Sequence, residues 1–293
     1  MKSWRFYISV IWVITLSLGC TKPTPSTSDI PQKKNQLIEI SQHLADSLWA
    51  GRQDPDNALD ALYAYEYLAS QDSTALPVWA KLVHAYYFNA DFVRWQDSIL
   101  RDSLFAEGYN MTRQILGQSK TYQSVLSSSG DPKLAVQSLG PEYNQVLYWG
   151  TVCLAKWAAT KGEIVQRGQR PWIMAVINHI NALDANFYYG AYDRFMGAML
   201  CVDPLADENA PLRARQHFEK SIAKAPEYLG TYTLMAQYYA RRTKDENLFY
   251  QLLTRVVTSV VDERSPIGPE NFYEKKRAEN LLLQAKQEGW FTP

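Results

Sequence analysis

Apolar side chains recur with helical spacing in two short stretches that lie far apart in the chain. In both stretches four apolar positions step by three, one and three residues, which places them on one face of an α-helix. These positions are Trp79, Leu82, Val83 and Tyr86 in the first stretch and Tyr232, Met235, Ala236 and Tyr239 in the second. The pattern predicts two helices, each with one buried face.

A second helix precedes each of these two helices at the same distance. Its apolar or small residues step by four and three, in the sets Ala61, Tyr65, Leu68 and Ala214, Phe218, Ser221. Eighteen residues separate Ala61 from Trp79, and eighteen separate Ala214 from Tyr232. The two pairs resemble the tetratricopeptide repeat, a helix–turn–helix unit, and Pro226 fits its closing proline. We predict an all-α protein, an irregular tetratricopeptide-repeat-like helical solenoid or bundle.

The chain between and after these pairs also predicts helices. Pro141 and Gly162 bound an apolar stripe, as proline and glycine do at opposite helix ends. Two further helices meet at a turn near residues 184–186, and the last long helix begins near Glu270. Gly150 lies inside the stripe, where glycine costs about 1 kcal/mol of helix propensity. We expect a neighbouring helix to press against it.

Residues 117–140 are rich in serine and glycine and interrupt the repeat pattern. Either they form a long surface excursion or they form an irregular region of short helices. No stretch shows the alternation of apolar and polar residues that is typical of strands.

The first residues have the pattern of a bacterial export signal. Lys2 and Arg5 precede an apolar run, Phe6 to Leu18, that is too short to span a membrane as a helix. Gly19-Cys20 then resembles a lipoprotein box, although Ser17 stands where that box usually has leucine. The resemblance implies cleavage before Cys20 and acylation of Cys20. The alternative is an ordinary secretory signal whose mature protein is free.

The predicted organisation therefore has three parts. Residues 1–19 are a lipoprotein signal peptide, residues 20–36 are the lipidated cysteine and a flexible tether rich in Thr, Pro, Ser and Lys, and residues 37–293 are the helical domain, with 117–140 as its irregular insertion. We expect a periplasm-facing protein held at a membrane by its lipid. Thr21 is not the aspartate that favours retention in the inner membrane, so the outer membrane is the favoured location.

Charge and cysteine content exclude some functions. The chain has 30 basic and 30 acidic residues, and no basic patch, so nucleic acid is not an expected partner. Besides Cys20 only Cys153 and Cys201 are present. They are either a disulfide, which an oxidising compartment permits, or two buried free thiols, which their apolar helical contexts favour.

No catalytic or metal-binding motif stands out. The four histidines are scattered, and none has the spacing of a metal signature. Asp54 and Asp56 suggest a calcium loop, but its glycine and closing glutamate are missing, and helix capping explains them better. We therefore predict no metal, no cofactor and no enzyme activity.

Aromatic residues are the remaining candidates for function, since the chain has 19 tyrosines and nine tryptophans. Several lie outside the repeat positions and could line a groove for an apolar ligand or partner. These candidates are Tyr87, Trp149, Tyr188, Tyr189, Tyr192 and Tyr238. The alternative is that most of them pack between repeats.

Several motifs in the second half of the chain resemble one family. They are Leu147-Tyr148-Trp149, Leu183-Asp184 followed by Tyr188-Tyr189-Gly190, Tyr238-Tyr239-Ala240 followed by Asp245, Leu248 and Phe249, and Leu281-Leu282 before Phe291. Their order resembles the T component of tripartite ATP-independent periplasmic (TRAP) transporters. The family usually has a Gly-Gly-Asp-Pro turn before the segment matching Ala214–Phe218, where this chain has Asp207–Pro211.

The resemblance implies a periplasmic lipoprotein of irregular tetratricopeptide repeats. It also implies a homotrimer, an apolar passage through each subunit, and docking to the transporter's solute-binding protein. The aromatic candidates would then contact a hydrophobic small molecule. The alternative function is a general tetratricopeptide scaffold of the cell envelope that grips a peptide or another protein.

Overall fold

The computed structural model describes residues 29–203 and 205–291, which contain helices and no strands. The all-α prediction is thus confirmed. By its internal contacts the chain divides into Met1–Leu37 and Ile38–Pro293, and the site described below lies in the second unit. The predicted signal peptide and Cys20 lie outside the described residues.

Fourteen α-helices and two π-helical segments follow one another in the part of the chain that the structure describes. They are α1 Asp29–Ala50, α2 Pro55–Gln71, α3 Leu76–Phe88, π1 Asn89–Val93, α4 Ser98–Gln118, α5 Lys120–Ser129, α6 Pro132–Gln137, α7 Asn144–Thr160, α8 Glu163–Leu183, α9 Phe187–Val202, α10 Ala210–Lys224, α11 Leu229–Leu234, π2 Met235–Ala240, α12 Arg241–Thr243, α13 Glu246–Thr258 and α14 Gly268–Glu288, with a 3₁₀ turn at Pro141–Tyr143 before α7. None of the described helices is long and apolar enough to span a membrane.

Helix α1 begins earlier than expected. Its first residue, Asp29, lies inside the segment predicted as a tether, so residues 29–36 are helical in the structure. Pro31 falls in the first turn, where proline is tolerated because the backbone N–H groups there have no intrahelical acceptor.

The two predicted helix pairs are present. Helices α2 and α3 form the first pair, and α10 and α11 form the second. Each repeat position named above is buried in both pairs. Asp54 accepts hydrogen bonds from the backbone N–H groups of Asp56 and Asn57 at the start of α2, which confirms the capping interpretation.

Both pairs end in a π-helical segment, a feature that periodicity did not predict. Segment π1 continues α3, and π2 continues α11. In π1 the Asn89 side chain donates to the carbonyl oxygens of Ala85 and Ala58, at 3.0 and 2.9 Å, and joins the widened turn to α2. Such segments are frequent at functional sites because the extra residue redirects side chains.

The middle of the chain packs as its glycine predicted. A Cβ atom at Gly150 on α7 would lie 2.0 Å from Thr112 Oγ1 on α4, so the two helices approach too closely for any larger residue. Residues 117–140 form the short helices α5 and α6, which decides between the two alternatives for this segment. Cys153 and Cys201 are both free and buried.

Helix α14 connects the last helix pair to the first. Arg52, after α1, pairs with Glu270 on α14, with Nη2 2.6 Å from Oε2. Arg277, further along α14, lies 2.9 Å from Asp91 of π1. Of these four residues, Arg277 also lines the cavity described below.

Candidate ligand-binding cavity

A cavity of about 190 Å³ lies between helices α3, α7, α8, α9, α11 and α14 and segment π2. Its walls combine aromatic rings and aliphatic side chains with four charged groups. The aromatic residues that line it are Tyr87, Tyr148, Trp149, Phe195, Tyr228 and Tyr238. A chamber of this kind, mostly apolar with a few polar groups, is typical of small-molecule sites.

Three of the six aromatic candidates line the cavity, namely Tyr87, Trp149 and Tyr238. They come from three separate elements, α3, α7 and π2. The rings of Tyr87 and Trp149 lie 4.7 Å apart between centroids. Whether these residues bind a ligand stays a prediction.

The other three candidates lie elsewhere. Tyr188 packs behind the wall, with its ring centroid 4.9 Å from that of Trp149. Tyr189 stacks on the ring of Tyr228 at 5.6 Å. Tyr192 is half-buried, and its hydroxyl donates to Asn178 at 3.4 Å. None of the three is part of the cavity lining.

A left-handed turn at the start of α9 shapes one wall. Tyr188, Tyr189 and Gly190 have φ values of 38°, 57° and 71°. This conformation costs an L-residue roughly 1–2 kcal/mol, so the surroundings must hold it. Gly190 fits its place because a Cβ atom there would lie 3.2 Å from Ser221 Cα on α10.

Arg194 holds this turn from within. Its Nη1 donates to the carbonyl oxygen of Tyr189 at 2.8 Å, and its Nη2 donates to the carbonyl oxygen of Tyr188 and the hydroxyl of Tyr148, both at 3.2 Å. Its guanidinium carbon lies 4.1 Å from the ring centre of Tyr228. The left-handed turn thus aims two carbonyl oxygens at a guanidinium that lines the cavity.

Arg194 is only 3 % exposed, yet no carboxylate among the described residues forms an ion pair with it. Burial lowers the pKa of its guanidinium, but the surrounding tyrosines, Tyr148 first, outweigh burial and raise that pKa above its ordinary value. The Arg194 guanidinium therefore stays charged. Neutral oxygens and the face of an aromatic ring surround it where water would surround an exposed arginine.

The other cations at the cavity have partners. Lys156 Nζ and Arg277 Nη2 lie 2.8 and 2.9 Å from the two carboxylate oxygens of Asp91, and the Tyr87 hydroxyl donates to Asp91 at 3.0 Å. Burial raises the pKa of Asp91, but Arg277 and Lys156 outweigh burial and hold that pKa below its ordinary value. Asp91 is thus an anion shared by two cations.

Glu274 lines the same cavity and is 4 % exposed. Its Oε1 accepts from Arg277 Nη1 at 3.0 Å, and the Thr233 side chain hydrogen-bonds to the same carboxyl group. Burial raises the pKa of the Glu274 carboxyl above its ordinary value, against the opposing effect of Arg277.

The charged residues of the cavity did not emerge from the sequence. Lys156 and Arg194 lie inside α7 and α9, which are otherwise largely apolar, and a charge within such a helix was the available signal. Across residues 29–203 and 205–291, no group of three histidine, cysteine or acidic residues has the arrangement to hold a metal ion.

Fold and cavity together define an all-α protein with a small, mostly apolar cavity among its helices. Residues 101–288 match the model of the family described as TRAP transporter T-component. The match covers well over half of the chain, and the protein belongs to this family. No curated protein sequence matches the chain. The protein is accordingly an accessory component of a TRAP transport system and associates with partners of that system in the cell envelope.

Proposed function

We propose that this protein docks the periplasmic solute-binding protein of its TRAP system and binds a hydrophobic small molecule in the central cavity. The observation that carries the proposal is the cavity itself, where aromatic residues from α3, α7 and π2 surround about 190 Å³. Aromatic side chains supply large contact areas to an apolar ligand. The proposal includes no catalytic step.

The proposal also includes how the protein is held. Residues 1–19 act as a signal peptide, Cys20 carries the lipid, and the helical domain faces the periplasm from the outer membrane. By family resemblance the protein assembles as a homotrimer of tetratricopeptide-like subunits. Together these features would keep the partner close to the membrane. Mass spectrometry of the mature amino terminus and light scattering of the purified protein test the lipid and the trimer.

Ligand binding is tested by filling the cavity. Ala155 lines it from α7, and Ala223 is an exposed alanine on α10 that does not. The probe is naphthalene, a neutral fluorescent molecule, added to mature protein in lipid nanodiscs with empty nanodiscs as the blank. Ala155→Phe should abolish the protein-dependent signal, and the matched control Ala223→Phe should retain it. Equal signals from the two variants would refute a ligand site in this cavity.

Docking is tested by affinity capture from solubilised envelope, with Cys20 intact and a carboxyl-terminal tag. Recovery of a periplasmic solute-binding protein, identified by mass spectrometry, supports the proposal. Recovery of only outer-membrane assembly or polysaccharide-handling proteins contradicts it.

One observation favours the alternative function, a general interaction scaffold. A second depression of about 580 Å³ lies between α4, α5 and α8, lined in part by Tyr109, Tyr122 and Trp172. The indole nitrogen of Trp172 is buried there without a hydrogen-bond partner in the described structure. If a partner binds the scaffold here, Tyr122→Ala should abolish its capture, whereas Ala155→Phe should not.

A further inference from the structure

The charges around the central cavity do not balance. Three cations and two anions meet there: Lys156, Arg194 and Arg277 against Asp91 and Glu274. Asp91 pairs with Lys156 and Arg277, and Glu274 pairs with Arg277. Arg194 remains as one buried positive charge without a counter-ion among the described residues.

Arg194 also has donors to spare. A guanidinium carries five N–H groups in a rigid fork. Three hydrogen bonds to protein oxygens are present, so two N–H groups remain without a protein acceptor. The two that remain are the Nε–H and one Nη1–H, because both N–H groups of Nη2 are used, and each can donate one charge-assisted hydrogen bond to a carboxylate oxygen.

The size and lining of the cavity limit the rest of the ligand. Its volume of about 190 Å³ is somewhat larger than an apolar cavity of about 150 Å³ that holds one benzene molecule. Val152, Ile173 and Leu234 line it together with the aromatic rings. The body of a ligand is therefore apolar, with about the bulk of one aromatic ring or a short alkyl chain.

We propose that the cavity binds a small amphipathic monocarboxylate, whose carboxylate accepts hydrogen bonds from Arg194 and whose apolar body packs beside Trp149. This inference rests on the proposed ligand-binding function and names the class of ligand. A neutral ligand would leave the charge of Arg194 buried without a counter-ion, which is costly. A ligand with one negative charge neutralises it.

Glu274 sharpens the specificity. Its carboxylate lines the cavity and repels a second carboxylate on the same ligand, so a dicarboxylate is disfavoured. The pair of Arg194 and Glu274 therefore selects one acid group and rejects two.

The probes are three molecules that share the same kind of apolar body and differ in their polar groups. Binding of 3-phenylpropionate, its neutral amide and the dicarboxylate phenylsuccinate is measured by calorimetry on the mature protein in lipid nanodiscs. The acid should bind at least about tenfold more tightly than the amide, since a hydrogen bond to a charged group contributes that much or more. Phenylsuccinate should bind more weakly than 3-phenylpropionate.

Two substitutions of opposite expected sign test the residues. Arg194→Met should lower the affinity for the acid by at least about tenfold more than it lowers the affinity for the amide. Glu274→Gln should raise the affinity for the acid and bring the affinity for phenylsuccinate closer to that for 3-phenylpropionate. This variant tests the site even if Arg194→Met fails to fold. The matched control is Arg215→Met on α10, an exposed arginine outside the cavity, which should change neither affinity.

Other outcomes separate this inference from the proposed function. Equal binding of acid and amide by the unaltered protein would overturn the carboxylate site and leave apolar binding intact. Binding of naphthalene but of none of the three probes would overturn it in the same way. Loss of naphthalene binding as well would refute the cavity as a ligand site altogether.

Discussion

Arg52 and Arg194 are both buried, with 4 % and 3 % exposure, and both stack on an aromatic ring, at 4.4 Å from Trp49 and 4.1 Å from Tyr228. Both donate to backbone carbonyl oxygens. They differ in the counter-ion, because Arg52 has Glu270 and Arg194 has none in the described chain. A buried charge that is fully paired holds the fold together, whereas one that faces a cavity unpaired is available to a ligand.

The largest expected effect comes from breaking the paired site. Glu270→Gln leaves the charge of Arg52 buried without a counter-ion, and we expect a loss of about 3 kcal/mol in the free energy of unfolding. Urea denaturation measures it. The control is Asp207→Asn, which breaks an exposed ion pair to Arg213 and should cost less than about 1 kcal/mol. Similar costs for the two variants would show that Arg52 does not need Glu270.

His84 makes the paired site sensitive to pH. It lies 3.5 Å from Glu270, and burial, with a smaller effect of Arg52, holds its pKa well below 6.5. Below pH 6.5 the unfolded chain therefore takes up a proton that the folded protein does not. The contribution of His84 is present above pH 6.5 and is lost progressively as pH falls below 6.5.

The test of His84 compares unfolding free energies at pH 7 and pH 5. His84→Gln should reduce the loss on acidification, while His43→Gln, at an exposed position, should not. Glu270 and Glu274 act in the opposite direction, since burial raises the pKa of each and favours the folded state as pH falls. The difference between variant and unaltered protein isolates His84, and an unchanged profile would contradict the assignment.

Removing the unpaired charge should cost less than breaking the pair. Arg194→Met loses three hydrogen bonds to neutral oxygens but leaves no carboxylate without its partner, so we expect a smaller loss in the free energy of unfolding than for Glu270→Gln. The measurement is again urea denaturation, beside Glu270→Gln. A cost equal to that of Glu270→Gln would mean that Arg194 is as structural as Arg52, and the contrast between the two sites would fail.

The smallest effect is expected from Tyr192. Tyr192→Phe removes one long hydrogen bond at 3.4 Å on the surface, and should change the free energy of unfolding by less than about 0.5 kcal/mol. It should also leave binding of naphthalene unchanged. Naphthalene binding by Tyr192→Phe is compared with that by Tyr238→Phe, which makes the same change at the cavity wall. An effect of Tyr192→Phe on binding would extend the site beyond the cavity.

The aromatic candidates show how far the sequence leads to the site. Tyr87, Trp149 and Tyr238 were found because they are large residues outside the repeat positions, and all three line the cavity. Tyr188 and Tyr189 were chosen by the same criterion, but the left-handed turn directs their rings elsewhere. No periodicity contains that turn, because it depends on Arg194 and Ser221 holding the backbone.

The sequence by itself determined the helices, because apolar spacing, capping aspartates and helix-ending residues are local properties. It also determined that Gly150 lies against another helix, and its motifs supported membership of the TRAP transporter T-component family. Only the tertiary structure decided where charges meet, because Arg52 and Glu270, or Asp91 and Arg277, are far apart in the chain. Whether a buried arginine is paired or open to a cavity depends on those distant contacts, and that difference defines the candidate site.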